Sequence, residues 1–248
     1  SNNPLFLGFP NAVGVGGAFL GTQMFYKISK KYSRLAALSL TFFVGALGSV
    51  VLFYSLVVDS FILLMIGALI LGFGQSATLQ SRYAASFVAS EKFKATALSL
   101  AVWFSVFGSV FGPRLVSVYS DYFDNLFNSE LIVGYIVAIV GMLFASASVL
   151  TFTSLNSSLR EPAEVEEVAE KVIESKKDGN ILTLLLVLNH FTMVVIMSAT
   201  PLHVQDIGET VELVGVIISY HTLGMFLLSP ILGNYVDKYG YKNFTYVG

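Results

Sequence analysis

The chain contains no cysteine among its 248 residues, which excludes disulfide frameworks and thiolate metal sites. Charge is scarce as well: Asp, Glu, Lys and Arg together make up 12%, about half the share of an ordinary soluble domain. No carboxylate falls inside any of the long apolar runs. Nothing reads as a metal-ligand cluster, a nucleophile–base pair or an ATP-binding loop, so neither enzymatic activity nor a cofactor is expected. The early glycines Gly14, Gly16, Gly17 and Gly21 lack GxGxxG spacing and follow no readable strand. They read instead as small residues that let helices approach closely in lipid. A basic leader is missing too. The chain opens SNNP and stops as a new apolar run begins, so it is expected to be an internal piece of a longer protein.

What is present is apolar surface. Hydrophobic residues make up 55%, with 21 Phe and 12 Tyr, and the mean hydropathy is +0.74. Several stretches reach the ~20 apolar residues that cross a ~30 Å hydrocarbon core. The expected fold class is therefore an all-α membrane protein, a polytopic helical bundle. Seven spans are readable, at about 4–26, 35–58, 61–87, 95–119, 131–152, 181–201 and 211–236. An acidic, aromatic loop, SDYFDNLFNSE, separates the fourth from the fifth. A polar linker at 154–180 carries its glutamates early and Lys176 and Lys177 late, as an amphipathic helix would, with Gly179 placed to stop it.

The charges assign the sides. Lys27, Lys30, Lys31, Arg34, Lys92, Lys94, Arg160, Lys171, Lys176, Lys177, Lys238 and Lys242 fall in one alternating set of loops. Asp59, Asp121, Asp124, Glu130, Asp206, Glu209 and Glu212 fall in the other, where Arg114 alone is basic. By the positive-inside rule the first set, with the 154–180 linker, is expected to face the cytoplasm of a cell whose plasma membrane the chain spans.

The most informative stretch is LGNYVDKYGYK, Leu232 to Lys242. Asp237 falls at the carboxyl end of the seventh span, where the helix macrodipole already puts negative charge. It needs a cation or another helix's amino terminus to meet it. Gly240 suits a turn at positive φ. Gly233, Asp237, Lys238, Gly240 and Lys242 match the loop motif Gly-x-x-x-Asp-Lys/Arg-x-Gly-x-Lys/Arg, and in this the chain resembles the major facilitator superfamily. A degenerate first copy lies about 211 residues earlier, at Lys27, Ser29 and Lys31, with Thr22 for the first glycine and Tyr26 for the acid. The resemblance implies two helical halves. Residues 1–153 would be the first half without its first helix, 154–180 the linker, and 181–248 the start of the second half, with two spans and the beginning of a third.

Gly108, Gly112 and Pro113 resemble the superfamily's fifth-helix antiporter motif, Gly-x-x-x-Gly-Pro, which implies a close-packed, bent hinge helix. The stretches around that motif and around Asp237 are similar to drug-efflux members. One departure stands against proton coupling of the usual kind: Ala68 or Leu69 occupies the position where such antiporters carry an arginine in the fourth helix. The remaining titratable groups near mid-membrane are His190, beside Asn189, and His221. Each could equally be a neutral histidine hydrogen-bonded to a neighbour such as Ser219. The resemblance implies alternating-access transport, with export of a hydrophobic or amphipathic small molecule by proton antiport as the leading expectation. A metabolite uniporter or symporter, and a membrane sensor or assembly protein without flux, are the alternatives. The expected partners are the lipid bilayer, a small-molecule substrate and protons, with no nucleic acid.

The sidedness is testable in this cysteine-free background. An impermeant thiol reagent added outside should label a single cysteine at Asn125 and spare one at Ser175; the reverse pattern would overturn the assignment.

Overall fold

In a computed structural model, residues 8–127, 132–156, 176–208 and 210–240 are described. Among them the chain forms α1 (Phe9–Lys31), α2 (Arg34–Val57), α3 (Phe61–Val88), α4 (Lys94–Phe127) and α5 (Ile132–Leu155), then α6 (Lys176–Asp206), α7 (Val211–Phe226) and α8 (Ser229–Tyr239). A 3-10 turn, Glu91–Phe93, leads into α4. No described residue is in a strand, and the fold is all-α as its apolar runs require. Five helical stretches have the length and composition to cross a membrane: Arg34–Val57, Phe61–Val88, Glu91–Val116, Ile132–Leu155 and Leu213–Tyr239.

Helix starts follow side chains that accept the amide hydrogens a helix leaves free in its first turn. Ser33 accepts from the Ala36 amide at 3.1 Å, and Thr210 from the Leu213 amide at 3.3 Å. Several ends fall beyond the sequence expectation. α1 continues through Lys27 and Ser29 to Lys31, and α4 continues through the acidic, aromatic segment to Phe127. Aromatics at helical spacing explain the second extension. Phe123 stacks on Phe127 with ring centroids 6.3 Å apart, and Phe127 meets Phe53 of α2 edge-on at 5.5 Å. α6 begins at Lys176 and runs through Gly179, which therefore stops no helix.

The seventh span is two helices, broken at Leu227 and Leu228. Pro230 is the cause, because it has no amide hydrogen for the carbonyl of Phe226. The Ser229 hydroxyl lies 2.7 Å from that carbonyl and supplies the missing donor.

α3 is the centre of the first five helices, packing on both α1 and α2, while α2 also packs on α5. Lipid tails are as apolar as leucine, so such contacts depend on close fit rather than on removing surface from water. Glycines provide the fit. A Cβ on Gly45 of α2 would lie 2.6 Å from the Cα of Gly74 on α3, and one on Gly17 of α1 would lie 2.9 Å from the Leu69 carbonyl carbon. Between α2 and α5, Ser39 and Ser146 exchange hydrogen bonds with each other's carbonyls at 3.0 and 2.9 Å. Both serines are buried, and their polar groups are satisfied within the pair. α4 packs on α3 and α5 of this block and also on α7 and α8.

Candidate functional site: the seam between α4 and the α7–α8 pair

The amino end of α4 presents amide hydrogens that its own backbone cannot use. Asp237, from the last turn of α8, caps two of them from 141 and 142 positions away in sequence. Its Oδ1 accepts from the Ala95 amide at 3.0 Å; its Oδ2 accepts from the Thr96 amide at 2.8 Å and the Thr96 hydroxyl at 2.6 Å. The two helices run antiparallel, so the carboxylate that opposes the dipole of α8 meets the positive end of α4. Glu91, the nearest alternative acid, is engaged with Lys94 at 2.7 Å.

The seam continues along both helices. Gly233 is buried against Ser99, and a Cβ there would also come 2.7 Å from the Ala95 carbonyl, so only glycine fits. Ser229 lies 3.2 Å from the Ser99 carbonyl, and the Ser219 hydroxyl of α7 reaches the Ser109 carbonyl of α4 at 2.6 Å. Polar contacts thus recur along α4 from Ala95 to Ser109.

The other expected residues are distributed as follows. Lys238 is exposed in the last turn of α8, and Gly240 ends that helix with φ of +79°, a conformation that favours glycine. Lys242 lies outside the described residues, as does the side chain of Asn189. In the first copy of the motif, Lys27 and Lys31 are exposed and Ser29 is buried, its hydroxyl on the Tyr26 carbonyl at 2.9 Å. All three sit within α1, and Lys30 lies over the Tyr26 ring at 4.8 Å. No carboxylate stands there to reach a neighbouring helix. Gly108, Gly112 and Pro113 lie in one continuous helix, and no described atom comes within 4 Å of where a Cβ would stand on either glycine. His190 and His221 are exposed on α6 and α7, helices that pack together. The Ser219 hydroxyl is directed to the carbonyls of Ser109 and Gly215, not to a histidine.

Ala95, Thr96, Ser99 and Ser109 escaped the sequence reading, and Ser219 entered it only as a partner for a histidine. The one legible signal was Thr96, a hydroxyl in the first turn of an apolar span directly after the charged EKFK turn.

A carboxylate fastening one helix end to another across a long sequence separation matches the motif that surrounds it. The Major Facilitator Superfamily model covers residues 2–248. The chain belongs to the major facilitator superfamily. It is 30% identical over 245 residues to the MFS-type transporter YdeG of Bacillus subtilis, covering 95% of this chain and 57% of that protein. YddS of the same organism is 29% identical over 245 residues, covering 94% and 56%. The riboflavin transporter RfnT of Brucella anthropi is 24% identical over 261 residues, covering 100% and 62%. The chain thus spans little more than half the length of the first two relatives. No solved structure matches it significantly. Family and apolar helices together make this a multi-pass membrane protein.

Replacing Asp237 by Asn substitutes a donor group for one acceptor oxygen facing these amides. The expected loosening of α8 from α4 is on the order of 1–3 kcal/mol. Cysteines at Phe93 and Tyr239, in the turn and helix that touch here, report it: oxidative cross-linking should slow in Asp237→Asn and be retained in part in Asp237→Glu. Equal rates in all three proteins would mean that the carboxylate does not hold the seam.

Proposed function

We propose that this chain forms the larger part of a secondary transporter working by alternating access, with the Gly233–Lys242 motif as a conformational latch. The observation that carries the reading is the Asp237 contact, which ties α8 to the amino end of α4 by three hydrogen bonds at one end of the bundle. On the two-half division, with 154–180 as linker, α4 belongs to the first half and α8 to the second. A contact between halves closes one mouth of a central path. Its position at the basic, cytoplasmic-reading end supports a state closed toward the cytoplasm. Water can replace the three donors when the halves part, so this fastening can open and re-form.

Export of a hydrophobic or amphipathic small molecule in exchange for protons is the finer reading. Its support is the Gly108–Gly112–Pro113 motif and the absence of carboxylates from the middle of the spans, which leaves a path of low polarity. In that reading His190 and His221 carry the proton coupling, as ionisable side chains on two helices that adjoin in the second half. A second reading, movement of an aromatic metabolite, is favoured by the match of the whole chain to a riboflavin transporter.

Flux in proteoliposomes of the full-length protein tests both. An imposed ΔpH should drive efflux of an amphipathic dye, with Asp237→Asn reducing the rate strongly while membrane insertion stays intact. His190→Gln and His221→Gln should flatten the pH profile and spare apparent affinity. Flavin flux indifferent to ΔpH would favour the second reading; no flux of either probe would leave a non-transporting membrane protein.

A further inference from the structure

The seam has two polar fastenings of opposite character. At its water-facing end Asp237 accepts from amides that solvent could serve as well. The other joins Ser219 to the Ser109 carbonyl, about 20 Å farther along α4 at ~1.5 Å per residue. Its chemistry follows from Pro113. In an α-helix the carbonyl of residue 109 takes its hydrogen from the amide of residue 113, and proline has none. The Ser219 hydroxyl of α7, 2.6 Å from that carbonyl, takes the place of the missing amide. The same hydroxyl also lies 2.7 Å from the Gly215 carbonyl in its own helix. The two partners therefore differ in what they lose on separation. Ser219 can turn to Gly215, whereas the Ser109 carbonyl loses its replacement donor at membrane depth, where no water substitutes. Ser109 cannot repair this itself, because its own hydroxyl donates to the Val106 carbonyl at 2.9 Å.

From this asymmetry we infer that Ser219 is a positioning residue for the conformational cycle: its bond to the proline-freed Ser109 carbonyl is the pivot that persists while the Asp237 end of the seam opens and closes. The inference rests on the alternating-access reading. Pro113 acts here through the acceptor it releases to the neighbouring helix, as well as through any bend. The break at Pro230 uses the same chemistry locally, with Ser229 serving the Phe226 carbonyl within one chain turn. At Pro113 the donor comes from another helix, so the repair becomes a connection.

The test is a double-mutant cycle in the full-length protein in lipid nanodiscs. Spin labels at Phe93 and Tyr239 report the Asp237 end, and labels at Leu126 and Ile207 report the opposite end. Wild type should show opening at one end coupled to closure at the other. Ser219→Ala should weaken that coupling, shifting the balance of the two distance populations by about threefold to tenfold. Ser219→Thr, which keeps the hydroxyl, should behave as wild type. Pro113→Ala restores the amide to the Ser109 carbonyl, so adding Ser219→Ala to it should change nothing further. A Ser219→Ala effect of equal size in both backgrounds, or none in wild type, would overturn the pivot. A wild-type Asp237 end that never opens would instead overturn alternating access.

Discussion

An α-helix begins with amide hydrogens it cannot satisfy, and in this protein two of those of α4 are satisfied by a side chain from the far end of the chain. Asp237 stands where its own helix disfavours it and the neighbouring helix favours it. The antiparallel arrangement of α4 and α8 resolves both problems in one contact. The rest of the seam follows from that requirement. Gly233 must be glycine for α8 to lie close enough to Ser99 and the Ala95 carbonyl, and Gly240 must release the chain just beyond the carboxylate. The break at Pro230 divides the span so that its short last segment forms the part beside the amino end of α4.

The two kinds of packing in the molecule have different consequences for motion. α1, α2 and α3 interlock backbone on backbone at glycines, and α2 is tied to α5 by the buried Ser39–Ser146 exchange. Such contacts have no partial state, because each depends on near-contact of main chains. They suit a block that moves as a unit. Between α4 and the α7–α8 pair one such approach, at Gly233, is joined by discrete hydrogen bonds along the seam. The two stretches matched by the sequence to the loop motif differ in the same respect. The second has a carboxylate that reaches another helix; the first has Tyr26, whose ring carries Lys30. A fastening of the Asp237 type therefore belongs to one of them only.

Much of this was legible in the sequence. The apolar runs gave an all-α membrane fold, and the spacing of Gly233, Asp237, Lys238 and Gly240 gave the family. The unfavourable position of Asp237 in its own helix even indicated that a helix end or cation must meet it. What could not be read was which helix end, since nothing local links Asp237 to Thr96 across 141 positions. Helix boundaries also shifted where polar residues continued a helix, at Lys27–Lys31 and at 120–127; in the second case ring contacts such as Phe127 on Phe53 outweigh a local preference for turn. The glycines of α4 suggested close packing, yet close approaches of the described helices occur at other glycines, among them Gly17, Gly45, Gly74 and Gly233. A GxxxG spacing states where an approach could occur, and the facing helix decides whether it does.

The central claim is that the Asp237 carboxylate is the cap of α4. Amide hydrogen exchange, resolved at Ala95 and Thr96 in the full-length protein in lipid, addresses it without reference to any substrate. Loss of about 1.4 kcal/mol of protection corresponds to tenfold faster exchange. The account predicts that Asp237→Ala accelerates exchange at these two amides by about that factor or more and leaves the amides of Trp103 to Val106, inside α4, as they were. Ala95 and Thr96 amides that exchange equally in wild type and Asp237→Ala would contradict it.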